Sequence, residues 1–200
     1  MMYVRQLKIS ILSIVVLSIM SGLLYPLVIT AITQTFFPHQ ANGSLIMKDD
    51  KSIGSVLIGQ PFDDPRYFWG RLSATSLMPF NAAASAGSNY GPLNTALIKA
   101  AQERIRALKQ VNPASTAPIP VDLVTSSASG LDPHISPASA LYQVPRIART
   151  RGLPEDAVRQ IIQKHTEDRW MGILGERRVP VLLLNLELDE LNNSKKESLF

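Results

Sequence analysis

The sequence contains no cysteine among its 200 residues. Disulfides therefore cannot hold the fold together, and cysteine-ligated metals and thiol chemistry are excluded. Aromatic residues are also few, at 6%, and no long run of basic residues occurs. Of the 20 basic residues, Arg5 and Lys8 precede a long apolar run, which leaves 18 against 16 acidic residues. The remaining charges alternate in sign along the chain, a pattern that argues against a nucleic-acid surface.

Charge is missing altogether between Lys8 and Lys48, and residues 9–37 are apolar on every helical face. A helix of this kind lies in a protein core or in lipid. About 20 apolar residues cross a bilayer, and this run is longer. A cleaved signal peptide would have an apolar stretch of only about 7–15 residues and a small-residue cleavage site, and neither condition is met. The run predicts a transmembrane helix at 9–37.

The orientation of this helix follows from the basic residues that flank it. Arg5 and Lys8 precede the helix, whereas Lys48 is the first lysine beyond it. The positive-inside rule then predicts a cytoplasmic N-terminus at residues 1–8 and an extracytoplasmic domain at residues 38–200. The expected fold class is α+β, with one N-terminal transmembrane helix followed by a single mixed α/β extracytoplasmic domain.

The predicted span contains small residues and a proline near its middle. Ser18 and Gly22 form a small-xxx-small pair with Ser21 beside it, which lets another helix approach closely. Pro26, directly after Tyr25, removes a helical hydrogen bond but is tolerated in membranes when neighbouring helices repack around it. These five residues are the candidate helix-packing interface.

The pattern beyond the span alternates short strand-like segments with helices. Strands are predicted at 52–60 and 66–71, and a short strand or extended segment at 121–130. Residues 72–92 are small, polar and punctuated by Gly and Pro, which predicts a long irregular loop. Apolar residues at helical spacing predict an amphipathic helix at 93–110.

Two further helices are predicted in the C-terminal half. Ser136 is expected to cap a helix with Pro137 in its first position, and Pro145 is expected to kink or end that helix. A third helix is expected to begin near Pro154. Residues 179–191 fit either a strand or a short helix, and the pattern alone leaves both open.

One polar segment, "SGLDPHISPASALYQVPR", raises the question of catalysis. Asp132, His134 and Ser136 alternate, so an extended chain would place them on one side, as a Ser-His-Asp hydrolase requires. However, two prolines rigidify the segment, Ser136 is better explained as a helix cap, and no G-x-S-x-G elbow occurs. The segment is therefore interpreted as architecture that packs the domain or contacts a partner.

No catalytic, cofactor-binding or metal-ligating residue is predicted. The three histidines are scattered, and the phosphate-binding glycine motifs do not occur. The candidate partner-binding or structural motif comprises Gly130, Leu131, Asp132, Pro133, His134, Ser136, Pro137, Tyr142, Pro145 and Arg146.

Several short sequence motifs, rich in turn-forming residues, resemble those of a known family. They are "QANGSL", "LIGQPF", "YFWGRLSAT", "MPFNAAASAGSN", "GPLN" and "SGLDPHISPASALYQVPRIA", in this order behind one span with a central "YP". The chain resembles, over essentially its whole length, the KdpC subunits of the bacterial high-affinity potassium-transporting ATPase. The blocks at 57–81 and 125–149 are the most diagnostic.

The resemblance implies a non-catalytic, single-span accessory subunit of an ATP-driven potassium uptake complex in the bacterial inner membrane. The implied partners are the channel-like subunit (KdpA), the P-type ATPase subunit (KdpB), the small single-span subunit (KdpF) and the lipid bilayer, without nucleic acid. The implied role is assembly and a higher ATP affinity of the hydrolysing subunit. The predicted topology favours a domain that lies over the extracytoplasmic face of the channel-like subunit, where it holds the complex together or shapes ion entry. No tightly bound cofactor is implied, and any involvement of ATP is through the complex. The predicted topology conflicts with direct contact to cytosolic ATP.

Two alternatives from other classes stay open at this stage. A membrane-anchored extracytoplasmic hydrolase would show activity in isolated residues 39–200. A ligand-binding module would show a saturable thermal shift with a small molecule. An accessory subunit would be inert alone and would co-purify with large membrane partners.

Overall fold

The computed structural model describes residues 2–48 and 50–197. The chain divides into two compact units, Met1–Leu45 and Ile46–Phe200. The first unit holds the apolar run. The second unit holds the helices and small sheets of the predicted α/β domain.

The N-terminal unit is almost entirely helical. It consists of α1 (Met2–Ile19), a π-helical turn (Met20–Leu24), α2 (Tyr25–Phe36) and the short α3 (Pro38–Ala41). The first three form one run of 35 residues, which contains an 18-residue window with a mean hydropathy of 2.3 and is long and apolar enough to cross a membrane. None of its side chains is buried within the chain, so lipid or other helices must cover this apolar surface.

The π-helical turn lies immediately before Pro26 and has a physical cause. Proline lacks an N–H group, and its ring collides with the carbonyl four residues earlier, which here belongs to Gly22. The backbone N–H of Tyr25 instead donates to the carbonyl of Met20, five residues back. This wider turn keeps the helix continuous through the proline.

Among its described residues, the second unit combines four α-helices with two very small sheets. Its elements are β1 (Leu45–Lys48), β2 (Lys51–Ser55), α4 (Thr95–Val111), β3 (His134–Ile135), α5 (Pro137–Arg151), α6 (Glu155–His165), β4 (Val179–Pro180) and α7 (Val181–Glu197). Strand β1 pairs with β2, and β3 pairs antiparallel with β4, with His134 opposite Pro180. This mixture is consistent with the predicted α+β class.

Local capping explains where the helices begin and end. The Asn94 side chain accepts the Ala96 N–H at the start of α4, and the Ser136 side chain accepts the Ser139 N–H at the start of α5. Helix α5 ends at Gly152, which is left-handed at φ 62°, the conformation that glycine adopts without strain. The predicted helices at 93–110 and after Ser136 are confirmed.

Pro145 does not end α5, which continues to Arg151. The neighbours Val144, Arg146 and Ile147 are all buried. The packing of this turn outweighs the one backbone hydrogen bond that the proline removes.

The hydrophobic core lies between α5, α6 and α7 and extends to α4 and the segment around Phe68. Its fully buried members include Phe68, Leu108, Leu123, Val144, Ile147, Val158, Leu184 and Leu188. Each such side chain contributes about 1.5–3 kcal/mol through burial. The core therefore fixes the three C-terminal helices against one another.

The prediction of a strand at 66–71 is wrong, and two amide side chains explain why. The Asn185 amide on α7 accepts the Phe68 N–H at 2.7 Å and donates to the Phe68 carbonyl at 3.0 Å. The Gln143 amide on α5 does the same for Trp69, at 2.8 Å and 3.1 Å. This Gln143–Asn185 amide pair satisfies the backbone groups that a partner strand would otherwise bind.

In three other segments the structure differs in part from the predicted elements. The strand expected at 52–60 ends at Ser55, and the segment expected to be extended from residue 121 starts with a 3-10 turn at Val121–Leu123. Residues 179–191 form the two-residue β4 and then helix, not one long strand. The loop at 72–92 is irregular as predicted, apart from one 3-10 turn and an isolated bridge at Leu72.

Candidate functional site

The turn that opens the candidate motif is fixed by close backbone contacts. Gly130 has φ 69°, and a Cβ added there would lie 2.6 Å from a neighbouring backbone oxygen. The Leu131 carbonyl accepts the Gly59 N–H at 2.9 Å, and the Pro133 carbonyl accepts the Val181 N–H at 3.0 Å. The segment therefore joins chain regions that are far apart in sequence.

Asp132 is the centre of a partly buried charge cluster. Its Oδ2 lies 3.1 Å from Nη1 of Arg71, and its Oδ1 accepts the backbone N–H of His134 at 3.0 Å. The Nδ1 of His134 lies 3.3 Å from the same Oδ1. Burial alone would raise the pKa of Asp132, but the hydrogen bonds from His134 and Arg71 outweigh it, so the pKa lies below its ordinary value.

Ser136 belongs to a different group of contacts. Its backbone N–H donates to Oδ2 of Asp122 at 2.8 Å, and its hydroxyl donates to Oδ1 of the same carboxylate at 3.2 Å. The Ser139 hydroxyl also donates to Asp122. The structure thus brings Asp132 and His134 together but directs Ser136 to Asp122. A nucleophile–base pair requires a hydrogen bond between serine and histidine, and the contacts of Ser136 are those of a helix cap.

The rest of the motif lies on α5 and mostly faces inward. Tyr142 and Pro145 are half-buried, and Tyr142 packs against the core. Arg146 is only 1% exposed. Its guanidinium donates to the Tyr67 carbonyl at 3.0 Å and to Oε1 of Gln143 at 2.6 Å. Burial lowers the pKa of Arg146 to about 10. These contacts make Arg146 a core residue rather than a surface contact.

The motif borders an open cleft of about 570 Å³, lined by both apolar and charged residues. Its lining includes Arg71, Asp122, Asp132, His134, Ser136 and Arg177. Within residues 2–48 and 50–197, no three His, Asp or Glu side chains are placed to hold a metal ion. The charges are of both signs, which suits a polar contact surface.

A second surface was missed by the sequence interpretation, at the hairpin between α6 and β4. Trp170, Met171, Ile173 and Leu174 are between 58% and 79% exposed. We call these four residues the apolar tip. The only sequence signal is "WMGILG", a short apolar run around a glycine with charged residues on both sides.

The arms of this hairpin are held by ion pairs. They join Arg169 to Glu176 at 2.6 Å, Arg177 to Asp168 at 2.8 Å and Arg178 to Glu167 at 2.7 Å. Three acidic and three basic residues cancel, so the arms carry no net charge. The hairpin presents a neutral, apolar surface, which is typical of interaction sites.

The candidate helix-packing residues of the span are all exposed within this chain. Ser18, Gly22, Tyr25 and Pro26 are all exposed, and the Ser21 hydroxyl donates back to the carbonyl four residues earlier. A Cβ added at Gly22 would meet no atom within 4 Å. The helix surface at Gly22 is open to a neighbouring helix, and the packing role of these residues stays a prediction.

The contacts of Asp132 predict how the stability of the fold depends on pH. Because its pKa is lowered in the folded state, Asp132 stabilises the fold above the unfolded-state value of about 3.9, and this contribution is lost as the pH falls through the folded-state pKa. We expect Asp132→Asn to be less stable by about 1–2 kcal/mol at pH 7. The difference from wild type should shrink below about pH 4.

Urea unfolding of the full chain in detergent at pH 7 and pH 3 measures this difference. Asp63→Asn, at an exposed carboxylate, is the matched control and should stay within about 0.5 kcal/mol of wild type at pH 7. A difference for Asp132→Asn that stays constant across both pH values would contradict the assignment.

The long apolar helix and the small α+β domain behind it fit the class of single-span, membrane-anchored subunits. A family model described as "KdpC: K+-transporting ATPase, c chain" matches residues 7–190. The chain therefore belongs to the KdpC family.

Curated relatives agree with this assignment. The chain is 58% identical to the potassium-transporting ATPase KdpC subunit of Herpetosiphon aurantiacus, over 90% of this chain and 94% of the relative. It is 60% identical to the KdpC subunit of Sorangium cellulosum, over 88% of this chain and 93% of the relative. It is 54% identical to that of Methylococcus capsulatus, over 94% of this chain and 99% of the relative.

Proposed function

We propose that this chain is a non-catalytic accessory subunit of an ATP-driven, high-affinity potassium uptake complex. The observation that carries the proposal is the family match over residues 7–190, together with relatives named as potassium-transporting ATPase KdpC subunits. The chain contains neither the D-K-T-G-T motif of a phosphorylated aspartate nor repeated filter loops. It acts through contact with subunits that carry those functions.

The proposed orientation has residues 1–8 in the cytoplasm and the α+β domain on the opposite side of the bacterial inner membrane. Arg5 and Lys8 before the span support this orientation by the positive-inside rule. A role in raising ATP affinity then operates through the partner subunits, because ATP is cytosolic. The chain itself needs no tightly bound cofactor for this role.

The proposed partners are a channel-like subunit (KdpA), the P-type ATPase subunit (KdpB) and a small single-span subunit (KdpF). The small residues Ser18, Ser21 and Gly22 allow close packing against partner helices. The apolar tip lies against the extracytoplasmic surface of the channel-like subunit. Trp and Met are enriched in protein interfaces, and the balanced charges of the arms leave this surface without strong attraction to one sign of charge.

Disruption of the apolar tip is expected to weaken assembly. The double variant Trp170→Ser with Ile173→Ser should lower co-purification of this chain with the large subunits by at least about tenfold, since central aromatic residues dominate interface energies. The fold should persist because both side chains are exposed. The measurement is detergent co-purification followed by mass identification of the bound subunits.

The matched control is Leu77→Ser with Leu93→Ser, which also removes two exposed apolar side chains but lies outside the tip and outside the cleft beside the motif. It should co-purify as wild type does. Equal recovery for both double variants would refute the docking role of the tip. Failure of the wild-type chain to recover any large membrane subunit would refute the accessory function itself.

A further inference from the structure

A second cavity lies away from the 130–146 motif, between the loop at 72–92, helix α4 and residues 123–126. Its volume is about 450 Å³, within the range of small-molecule sites. Apolar walls come from Leu72, Leu97, Ala100, Ala107 and Val124. Three serines and Tyr90 are also part of the lining, as are two charged residues, Glu103 and Arg104.

Arg104 is the side chain that indicates a ligand. Its Nε donates to the Leu123 carbonyl at 3.0 Å, and its Nη2 donates to the Gly70 carbonyl at 2.9 Å. Among the ion pairs formed by the described residues, none includes Arg104. Burial lowers its pKa to about 10. Arg104 is partly buried, and removing part of its charge from water carries a cost when no carboxylate is paired with it. An anion in the cavity would offset that cost.

A second cation, the fully buried Arg146, lies close to Arg104. The guanidinium carbons of Arg104 and Arg146 are 4.8 Å and 5.0 Å from the centre of the Trp69 ring. The charge of Arg104 also lowers the pKa of Arg146, as like charges do when they lie close together. An anion bound at Arg104 would be attracted by both groups, and a guanidinium can bind a carboxylate through two parallel hydrogen bonds.

We propose that this cavity binds a small aliphatic monocarboxylate. The carboxylate would pair with Arg104, and the aliphatic body would lie against Leu97, Ala100 and Val124. Glu103 also lines the cavity but is exposed, so solvent screens its charge. Arg104 is the one cation among the described residues of the lining, so a ligand with a single carboxylate matches its charge.

Trp69 provides a direct readout of binding. The chain has two tryptophans, and the exposed Trp170 can be replaced by Phe so that Trp69 alone is observed. The full chain in detergent is titrated with butyrate, and Trp69 fluorescence is recorded. We expect a saturable change with butyrate, and none with n-butylamine or inorganic phosphate at equal concentration.

Two variants locate the site. Ala100→Leu fills the cavity and keeps Arg104, whereas Arg104→Lys keeps a charge and loses the paired donors. Each should weaken butyrate binding at least tenfold. Gln102→Leu, which enlarges an exposed neighbour on the same helix, should bind as the parent does.

Three results would overturn the proposal. The first is the absence of saturable butyrate binding. The second is an equal response to n-butylamine, which indicates a site for the aliphatic group alone, or to phosphate, which indicates a site for anions in general. The third is unchanged binding by Arg104→Lys and Ala100→Leu. If Ala100→Leu does not fold, Arg104→Lys and the charge-matched probes decide the question.

Discussion

Replacing Asn185 by Leu is expected to destabilise the α+β domain by about 3 kcal/mol, and Gln143→Met by about as much. Each substitution keeps the approximate shape of the side chain and removes an amide that binds both backbone groups of one buried residue. A buried group left without its partner costs about 1–3 kcal/mol. Gln143→Met also removes an acceptor from the guanidinium of Arg146.

The double variant should lose most of its folded population. Domains of this size are stable by only about 5–15 kcal/mol, and the two amides bind adjacent residues, Phe68 and Trp69. Urea unfolding, followed by far-UV circular dichroism, measures the loss. The control is Gln163→Met at an exposed position on α6, which should stay within about 0.5 kcal/mol of wild type. Amide variants as stable as this control would show that the amide pair does not hold the segment.

These amides also explain the main error of the sequence prediction. Residues 66–71 are rich in aromatics, a local pattern typical of strands. The groups that bind their backbone come from Gln143 and Asn185, 74 and 117 residues further along the chain. The local sequence pattern contains no information about side chains that lie so far along the chain. The contacts with these side chains override the strand propensity of residues 66–71.

Two features that depend only on neighbouring residues were predicted correctly. The apolar run needs only its own composition, and the Ser136 cap with Pro137 needs only a few residues of context. The C-terminal segment was ambiguous because Leu184 and Leu188 fit both an alternating and a helical pattern. Both are fully buried, and burial of residues four apart is what a helix with one packed face produces.

In the candidate site, too, the contacts between nearby residues were predictable and those between distant residues were not. The spacing of Asp132 and His134 correctly predicted that these two side chains lie close together. The carboxylate that binds Ser136 belongs to Asp122, 14 residues earlier, and spacing within the motif could not reveal it. The burial of Arg146 and the exposure of the apolar tip likewise depend on how the helices pack, which the sequence pattern does not contain.

The second large expected effect concerns which side of the membrane carries the domain. The chain has no cysteine, so one introduced thiol is the only target for a maleimide on it. Ala114→Cys places a thiol at an exposed position in the connector after α4, and Tyr3→Cys places one before the span. Labelling of each position is close to all-or-none, because the bilayer blocks a charged reagent.

The most direct test of this account is therefore the labelling of both variants with a membrane-impermeant maleimide in intact spheroplasts, within the assembled complex. We expect Ala114→Cys to be labelled before lysis and Tyr3→Cys to be labelled only afterwards. The reverse pattern would place the domain in the cytoplasm and contradict the proposed extracytoplasmic contact with the channel-like subunit.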